Sequence, residues 1–306
     1  MKTPWWFLHK TPLAFLMVPL SWVYYFISRL VYLFRKIGAY KSGRVVICVG
    51  NIMAGGVGKT PIVRQIAKKL DAPVVMRGYK KSAKTGNIGD EASMLARDGI
   101  QVHTGDRKSN VILLDRQAHE RGPIVMDDGF QNPRVKKNIS VLVFSQKLGV
   151  GNGFLLPAGP LREPRRAVRR ADAVIIIRDA GGKKVKKIKL PASVPVFYAT
   201  NKTVSPYSDG TALYAFAGIG YPKKFFASLK NVVGRKSFAD HYQYTDDDLK
   251  KLVAVAKRKK ASLITTEKDW VRLPDEYREK IKYARLETII DDDFWKWLGD
   301  KINANN

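Results

Sequence analysis

Short apolar blocks recur along the first two thirds of the chain. Val45–Val49, Ala72–Met76, Pro123–Met126, Ile139–Phe144 and Ala173–Ile177 carry no charged residue and are rich in β-branched side chains. Such runs read as strands buried on both faces. Between them the apolar positions change to a helical period, as in Ile62, Ile66, Ala67 and Leu70. A second helix runs through Met94, Leu95 and Ala96, and Val111 to Arg121 reads as a third. Strand and helix in alternation predict an α/β fold with a doubly wound, mostly parallel sheet. A Lys-rich connector from Gly181 to Lys189 follows. Beyond it, strands are expected near Val196–Ala199, Leu213–Ala217 and Leu263–Thr265, then a short amphipathic helix at Phe294, Trp295, Trp297 and Leu298 that packs on the fold. The expected division is an N-terminal helical segment at 1–40, a main domain at 41–190 and a smaller α/β domain at 191–306.

The N-terminal segment breaks this rhythm. No residue from Thr11 to Ser28 is charged, and Leu30, Val31, Leu33 and Phe34 extend the apolar character past Arg29. A bilayer span needs about 20 apolar residues, so the segment sits at the margin. Pro12 and Pro19 interrupt it, and no small-residue cleavage site follows, against a secretory leader. Trp5, Trp6, Trp22, Tyr24 and Tyr25 favour headgroup depth, and Lys10, Arg29, Arg35 and Lys36 suit anionic headgroups. The expectation is a membrane-associated helix lying in one leaflet, with a full span and an ordinary core helix as the alternatives.

Composition narrows the partner class. Of 306 residues, 55 are Lys or Arg and 27 are Asp or Glu, a formal charge of +28 that calls for an anionic partner or a solvated basic surface. The single cysteine, Cys48, lies in an apolar block and forms no internal disulfide. No Cys/His cluster suggests zinc.

The first apolar block runs into Met53-Ala54-Gly55-Gly56-Val57-Gly58-Lys59-Thr60. Strand, glycine-rich turn ending in Gly-Lys-Thr, then helix is the context of a phosphate-binding P-loop. Glycines let successive amides turn toward an anion, and the helix N-terminus adds its positive end. Lys59 then reaches the β- and γ-phosphates, and the Thr60 hydroxyl ligates Mg²⁺. The usual pattern has a glycine where this chain has Met53.

Carboxylates gather at the ends of later blocks. Asp127 and Asp128 close the third, Pro123–Met126, where P-loop proteins place a carboxylate that helps hold Mg²⁺. Adjacent side chains on a strand point to opposite faces, so the two have different tasks. Gly89-Asp90-Glu91 opens a helix; its acids are either dipole partners or a carboxylate aimed at the phosphate edge of the sheet. Gly151 to Pro164 is a long rigid loop of the kind used for binding, followed by Arg165, Arg166, Arg169 and Arg170. His241 follows Asp240 and precedes a candidate N-cap at Thr245.

Taken in order, these segments resemble the tetraacyldisaccharide 4′-kinases of lipid A biosynthesis. The resemblance rests on Gly50-Asn51-Ile52 and Gly55 to Pro61, Arg77-Gly78-Tyr79, Gly89-Asp90-Glu91, and Asp127-Asp128-Gly129-Phe130-Gln131. It continues through Leu155 to Glu163, Phe216-Ala217-Gly218-Ile219, Asp240-His241-Tyr242 and Thr265-Thr266-Glu267-Lys268-Asp269. The family's P-loop also lacks the first glycine. Asn132-Pro133-Arg134 departs from the Leu-Gln-His that relatives often carry.

The resemblance implies an enzyme that moves the γ-phosphate of ATP to the 4′-hydroxyl of a tetraacylated glucosamine disaccharide 1-phosphate. It implies a P-loop domain and a smaller domain that close around ATP, with ATP and Mg²⁺ as cofactors. Lys59 and Thr60 match nucleotide and Mg²⁺ positions, and Asp90 matches a catalytic base oriented by a histidine at the position of His241. Asp127, Asp128, Gln131 and Glu163 match acidic-site and metal-linked positions; Gln131 is expected beside substrate. Tyr79, Arg107 and Arg162 match positions around substrate or phosphate. A monomer at the cytoplasmic face of the inner membrane, binding an anionic glycolipid and no nucleic acid, completes the expectation. Two rivals remain. A membrane-associated P-loop NTPase switch is disfavoured because Asn201-Lys202-Thr203 continues into Val204, without the guanine-selecting Asn-Lys-x-Asp. A tethered nucleic-acid binder has only the charge in its favour.

Overall fold

The structure is a computed structural model that describes residues 4–78, 89–117, 122–178 and 188–305. A single-turn 3₁₀ segment at Trp5–Phe7 precedes α1 (Pro12–Leu16) and α2 (Val18–Lys36). Then come β1 (Val46–Gly50), α3 (Lys59–Leu70), β2 (Val74–Met76), α4 (Asp90–Arg97), β3 (Val102–Thr104), α5 (Arg107–Arg116), β4 (Ile124–Asp127) and β5 (Ile139–Ser145). A 3₁₀ turn at Arg165–Arg170 leads to β6 (Ala173–Arg178), β7 (Val196–Val204), β8 (Leu213–Ala217), α6 (Pro222–Ala227) and β9 (Val232–Ser237). The chain ends with α7 (Asp246–Arg258), β10 (Ser262–Thr266), α8 (Glu267–Trp270), α9 (Asp275–Arg278), β11 (Lys282–Ile290) and α10 (Asp292–Asn303).

The contacts divide the chain into two compact units. Among the described residues, the larger holds 4–78, 95–117, 122–178, 188–201 and 288–305; the smaller holds 89–94 and 202–287. The units do not follow the contiguous limits expected at 190 and 191. Residues 89–94 belong with the smaller unit, and 288–305 return to the larger.

The larger unit carries strands in the order β3-β2-β4-β1-β5-β6-β7. The ladders β1–β4, β1–β5, β2–β3, β2–β4, β5–β6 and β6–β7 are all parallel. Every residue of β1 and β4 is buried, as continuous β-branched runs require. The order reverses around β1, whose neighbours are β4 and β5, and in open α/β sheets ligands gather at the carboxyl ends beside such a switch. The P-loop leaves the end of β1, and Asp127-Asp128 the end of β4.

Sequence reading placed 196–199 in the smaller domain. Instead β7 pairs with β6 from Val174↔Val196 onward, and Phe197 packs against Phe294 and Trp297 of α10 at centroid distances of 5.4 and 5.5 Å. The aromatic face of α10 is therefore core, with Phe294 and Leu298 buried. Helix α5 begins at Arg107 rather than Val111, because the Asp106 carboxylate caps it through the Ser109 amide at 3.0 Å.

Helices α1 and α2 dock through one side. The Ser21 hydroxyl donates to the Leu155 carbonyl at 2.9 Å and the Tyr24 hydroxyl to the Arg162 carbonyl at 3.4 Å. Arg166 Nη2 donates to the Tyr25 hydroxyl at 2.8 Å, Phe15 packs on Phe154, and Ala14 is buried. Leu16, Leu20, Trp22, Phe26, Phe34 and Ile37 are exposed. Among the described residues no helix is long and apolar enough to cross a membrane.

The smaller unit orders its strands β11-β10-β8-β9, with the β8–β9, β8–β10 and β10–β11 ladders parallel. One apolar cluster under α7 joins Phe216, Tyr244, Leu249, Leu252 and Tyr277. Thr245 caps α7 in a capping box with Asp248, as the sequence suggested. The expected Lys-rich connector falls largely on residues outside those described, as do Lys80, Lys81 and Lys84.

Candidate active site

Chemistry-bearing residues collect in two groups, one in each unit. In the larger unit the turn after β1 is shaped by its glycines. Gly55 and Gly58 have φ of +107° and +88°, in the left-handed region that side chains disfavour. A Cβ on Gly58 would stand 2.9 Å from Ile177 Cδ1. Among the described residues, the amides of Gly55, Gly56, Val57 and Gly58 donate to no backbone carbonyl. Free amides at the start of α3 are what an anion cradle needs.

Met53 and Ala54 have other work. Met53 is buried and bridges Leu161 in antiparallel fashion, and the Ala54 amide donates to the Pro160 carbonyl at 2.7 Å. The Arg162 amide donates to the Ile52 carbonyl at 2.7 Å. This pairing explains the missing glycine: position 53 is extended and holds the 155–163 loop. Of the eight nucleotide positions expected from sequence, Ala54 has its amide committed elsewhere.

Lys59, at the start of α3, meets Asp128, with Nζ 3.1 Å from Oδ1. Arg162 Nη1 lies 3.0 Å from Asp128 Oδ2. Burial raises the Asp128 pKa, but Lys59 and then Arg162 outweigh it and hold the carboxyl below the usual range. Asp128 has φ of +51°. Asp127 is buried at the end of β4. Arg107 does not stand open toward solvent: its guanidinium donates to the carbonyls of Asp127, from Nε at 3.2 Å and Nη2 at 2.9 Å, and of Asp128 at 3.1 Å. Its observed task is to hold the end of β4.

Gln131 Nε2 donates to the Asn51 carbonyl at 2.8 Å. Among the described residues, Gln131 Oε1, Glu163 Oε1 and the whole Asn51 side-chain amide are buried with no hydrogen-bond partner. Glu163 Oε2 pairs with Arg170, whose guanidinium also lies 4.7 Å from the Phe130 ring centroid. Among the described residues no three His, Cys, Asp or Glu side chains form a metal-holding group. Mg²⁺ does not ask for such a cage, since it takes one or two carboxylates and fills its other positions with water and phosphate oxygens. The donors expected here, from Thr60, Asp127, Asp128 and Glu163, are hard oxygens, and Glu163 Oε1 is buried without a hydrogen-bond partner among the described residues. Oxygens of this kind, from one or two of the carboxylates, suit Mg²⁺.

The second group belongs to the smaller unit. Asp90 is the first residue of α4. Its Oδ2 accepts from Arg272 Nε at 2.8 Å and Nη2 at 2.5 Å, and lies 3.3 Å from His241 Nδ1. The His241 backbone has φ of +60°, and its amide donates to the Gly218 carbonyl at 3.0 Å. Sequence reading brought Asp90 and His241 together, and the structure does so. It did not single out Arg272; the usable signal was an i,i+3 spacing from Asp269, placing Arg272 three residues past the end of a motif already noted. Tyr79 lies outside the described residues.

Comparison with known proteins decides the family. The family model described as tetraacyldisaccharide-1-P 4'-kinase, LpxK, matches residues 13–303. The chain belongs to this family. A tetraacyldisaccharide 4'-kinase of Rickettsia bellii is 36% identical over 294 residues, covering 86% of this chain and 87% of its own length. One of Phenylobacterium zucineum is 37% identical over 306 residues, covering 91% and 90%. The fold matches a crystal structure of LpxK from Aquifex aeolicus in complex with ATP, with a TM-score of 0.76 at 24% identity, covering 95% of this chain and 99% of that one. The chain is thus an α/β kinase of lipid A biosynthesis.

Proposed function

We propose that this kinase transfers the γ-phosphoryl group of ATP to the 4′-hydroxyl of tetraacyldisaccharide 1-phosphate, with the P-loop unit holding the phosphates and Asp90 accepting the proton. The observation that carries the reading is the row of amides at Gly55–Gly58, directly before Lys59, that donate to no backbone carbonyl among the described residues. Family membership supplies the acceptor class. Amides and Lys59 offset the charge on the triphosphate, and Lys59 exchanges Asp128 for phosphate oxygens. Thr60 with one or two of the carboxylates Asp127, Asp128 and Glu163 would hold Mg²⁺, which when bound would neutralise charge on the phosphates. The new bond joins the sugar O4′ to phosphorus, the β–γ bridging bond breaks, ADP leaves, and the hydroxyl proton passes to Asp90. His241 and Arg272 orient that carboxylate.

The exposed apolar side of α1 and α2, with Leu16, Trp22 and Phe26 among its residues, supports an interfacial helix at an anionic membrane surface. The need for both a lipid acceptor and ATP supports a place at the cytoplasmic face of the inner membrane. The larger-unit arginines Arg162 and Arg107 remain candidates for substrate phosphate.

The test is transfer of radiolabel from γ-labelled ATP to purified disaccharide acceptor, comparing the wild-type chain with Asp90→Asn. Turnover is expected to fall about 10²- to 10⁴-fold, the range for removing a general base, with ATP binding retained. Absence of any transfer by the wild type would sink the kinase reading. Equal turnover in the variant would remove Asp90 from the mechanism.

A further inference from the structure

We infer that Arg272 is a positioning residue for the reaction, held by the buried Asp269 so that it turns the Asp90 carboxylate to present one chosen oxygen, Oδ1, to the acceptor hydroxyl. The inference deepens the proposed function and rests on Asp90 being the base.

All the groups belong to the smaller unit. Arg272 delivers two N–H groups to the same oxygen of Asp90, and His241 Nδ1 stands 3.3 Å from that oxygen too. Oδ2 is thereby occupied. Oδ1 accepts no hydrogen bond among the described residues. A carboxylate gripped through one oxygen keeps its other lone pairs for a proton, and the grip fixes the plane in which they lie.

The grip is itself braced. The Arg272 side chain is 4% exposed, and its Nη1 donates to Asp269 Oδ1 and to the Gly218 carbonyl, both at 3.2 Å. Asp269 is fully buried, and four donors hold it. Its Oδ1 also accepts from the Gly218 amide and the Tyr244 hydroxyl, both at 2.9 Å, and its Oδ2 from the Thr266 hydroxyl at 2.6 Å. Burial raises the Asp269 pKa, and these donors with Arg272 work against the rise. Burial, then the Asp269 charge and hydrogen bond, push the Tyr244 phenol upward, so it stays a donor. One guanidinium thus joins a carboxylate locked in the core to a carboxylate at the head of α4. A buried arginine between two acids is costly to desolvate, and satisfying every one of its partners repays that cost. Lysine could supply the charge but not the fork.

The experiment measures kcat and KM for ATP and for acceptor in detergent micelles, on the full chain, for Arg272→Lys, Asp90→Asn and the double variant. Arg272→Lys is expected to lower kcat about 10²-fold, the effect of misplacing a reacting group by an ångström, with both KM values within about threefold of wild type. In the Asp90→Asn background the same substitution should have no further effect, because no base is left to orient. A structural role would instead lower both backgrounds alike. Full kcat in Arg272→Lys, or an undiminished loss in the double variant, overturns the inference; full kcat in Asp90→Asn overturns the underlying assignment instead. Should Arg272→Lys fail to fold, Tyr244→Phe loosens the same brace. Its kcat is then expected to fall about three- to tenfold at unchanged KM, as for a positional shift well under an ångström, and an unchanged kcat there counts against the inference.

Discussion

Lys59 and Asp128 form an ion pair, Nζ to Oδ1 at 3.1 Å, in the part of the P-loop where a lysine meets phosphate. The carboxylate stands in for an anion, and Arg162 holds its other oxygen at 3.0 Å. Its pKa is depressed because these cations outweigh the effect of burial. A depressed carboxyl stabilises the fold above its unfolded pKa of about 3.9 and loses that contribution as pH falls through the folded value. Asp128→Asn is therefore expected to melt below wild type at neutral pH, with the gap closing as pH drops below about 4. Thermal melts from pH 7 to pH 2.5 measure it; a gap independent of pH contradicts the pairing.

Gly58 has a left-handed backbone, and a Cβ there meets Ile177. Gly58→Ala is expected to cost about 1–2 kcal/mol from the backbone alone, and to distort the row of amides before Lys59. Calorimetric titration with ATP should show binding weakened by at least tenfold. Unchanged affinity would mean that these amides do not face the phosphates.

The outer side of α2 is apolar and exposed at Trp22 and Phe26. Each large side chain buried in a membrane interface contributes about 1.5–3 kcal/mol. Trp22→Glu with Phe26→Glu should lower flotation with anionic vesicles by more than tenfold. The melting temperature should stay within about 2 °C, since exposed positions bear little on the core. Undiminished flotation would remove α2 as the contact.

Cys48 is fully buried in β1, and burial pushes its thiol up to about 11. The folded chain then keeps the thiol protonated where the unfolded chain ionises, so its contribution is complete below the ordinary thiol range and declines as pH rises toward about 11. A thiol reagent at pH 8 should label the native protein only as fast as it unfolds. Rapid labelling of folded protein contradicts this burial.

Much of the site could be read from local pattern. Gly55 to Thr60 announces itself because a strand, glycines with no Cβ and a helix start must be contiguous to cradle phosphate. Asp127-Asp128 stands out because a charged pair ending an apolar strand is rare without a purpose. What Asp128 does could not be read, because Lys59 and Arg162 reach it from separate stretches of chain. The same holds for Met53, whose fitness depends on Leu161 lying opposite.

By itself, then, the sequence determined the strand–helix alternation through β6, the glycine-rich turn and the resemblance to the family, since each is written in residues adjacent or one helical turn apart; β9 and β11 it did not announce. The tertiary structure alone decided that residues 89–94 join 202–287, that α10 returns to cover Phe197, and that Arg272 grips Asp90 across 182 positions. Burial and hydrogen bonding between distant segments depend on which surfaces pack together, and no periodicity along the chain encodes that choice.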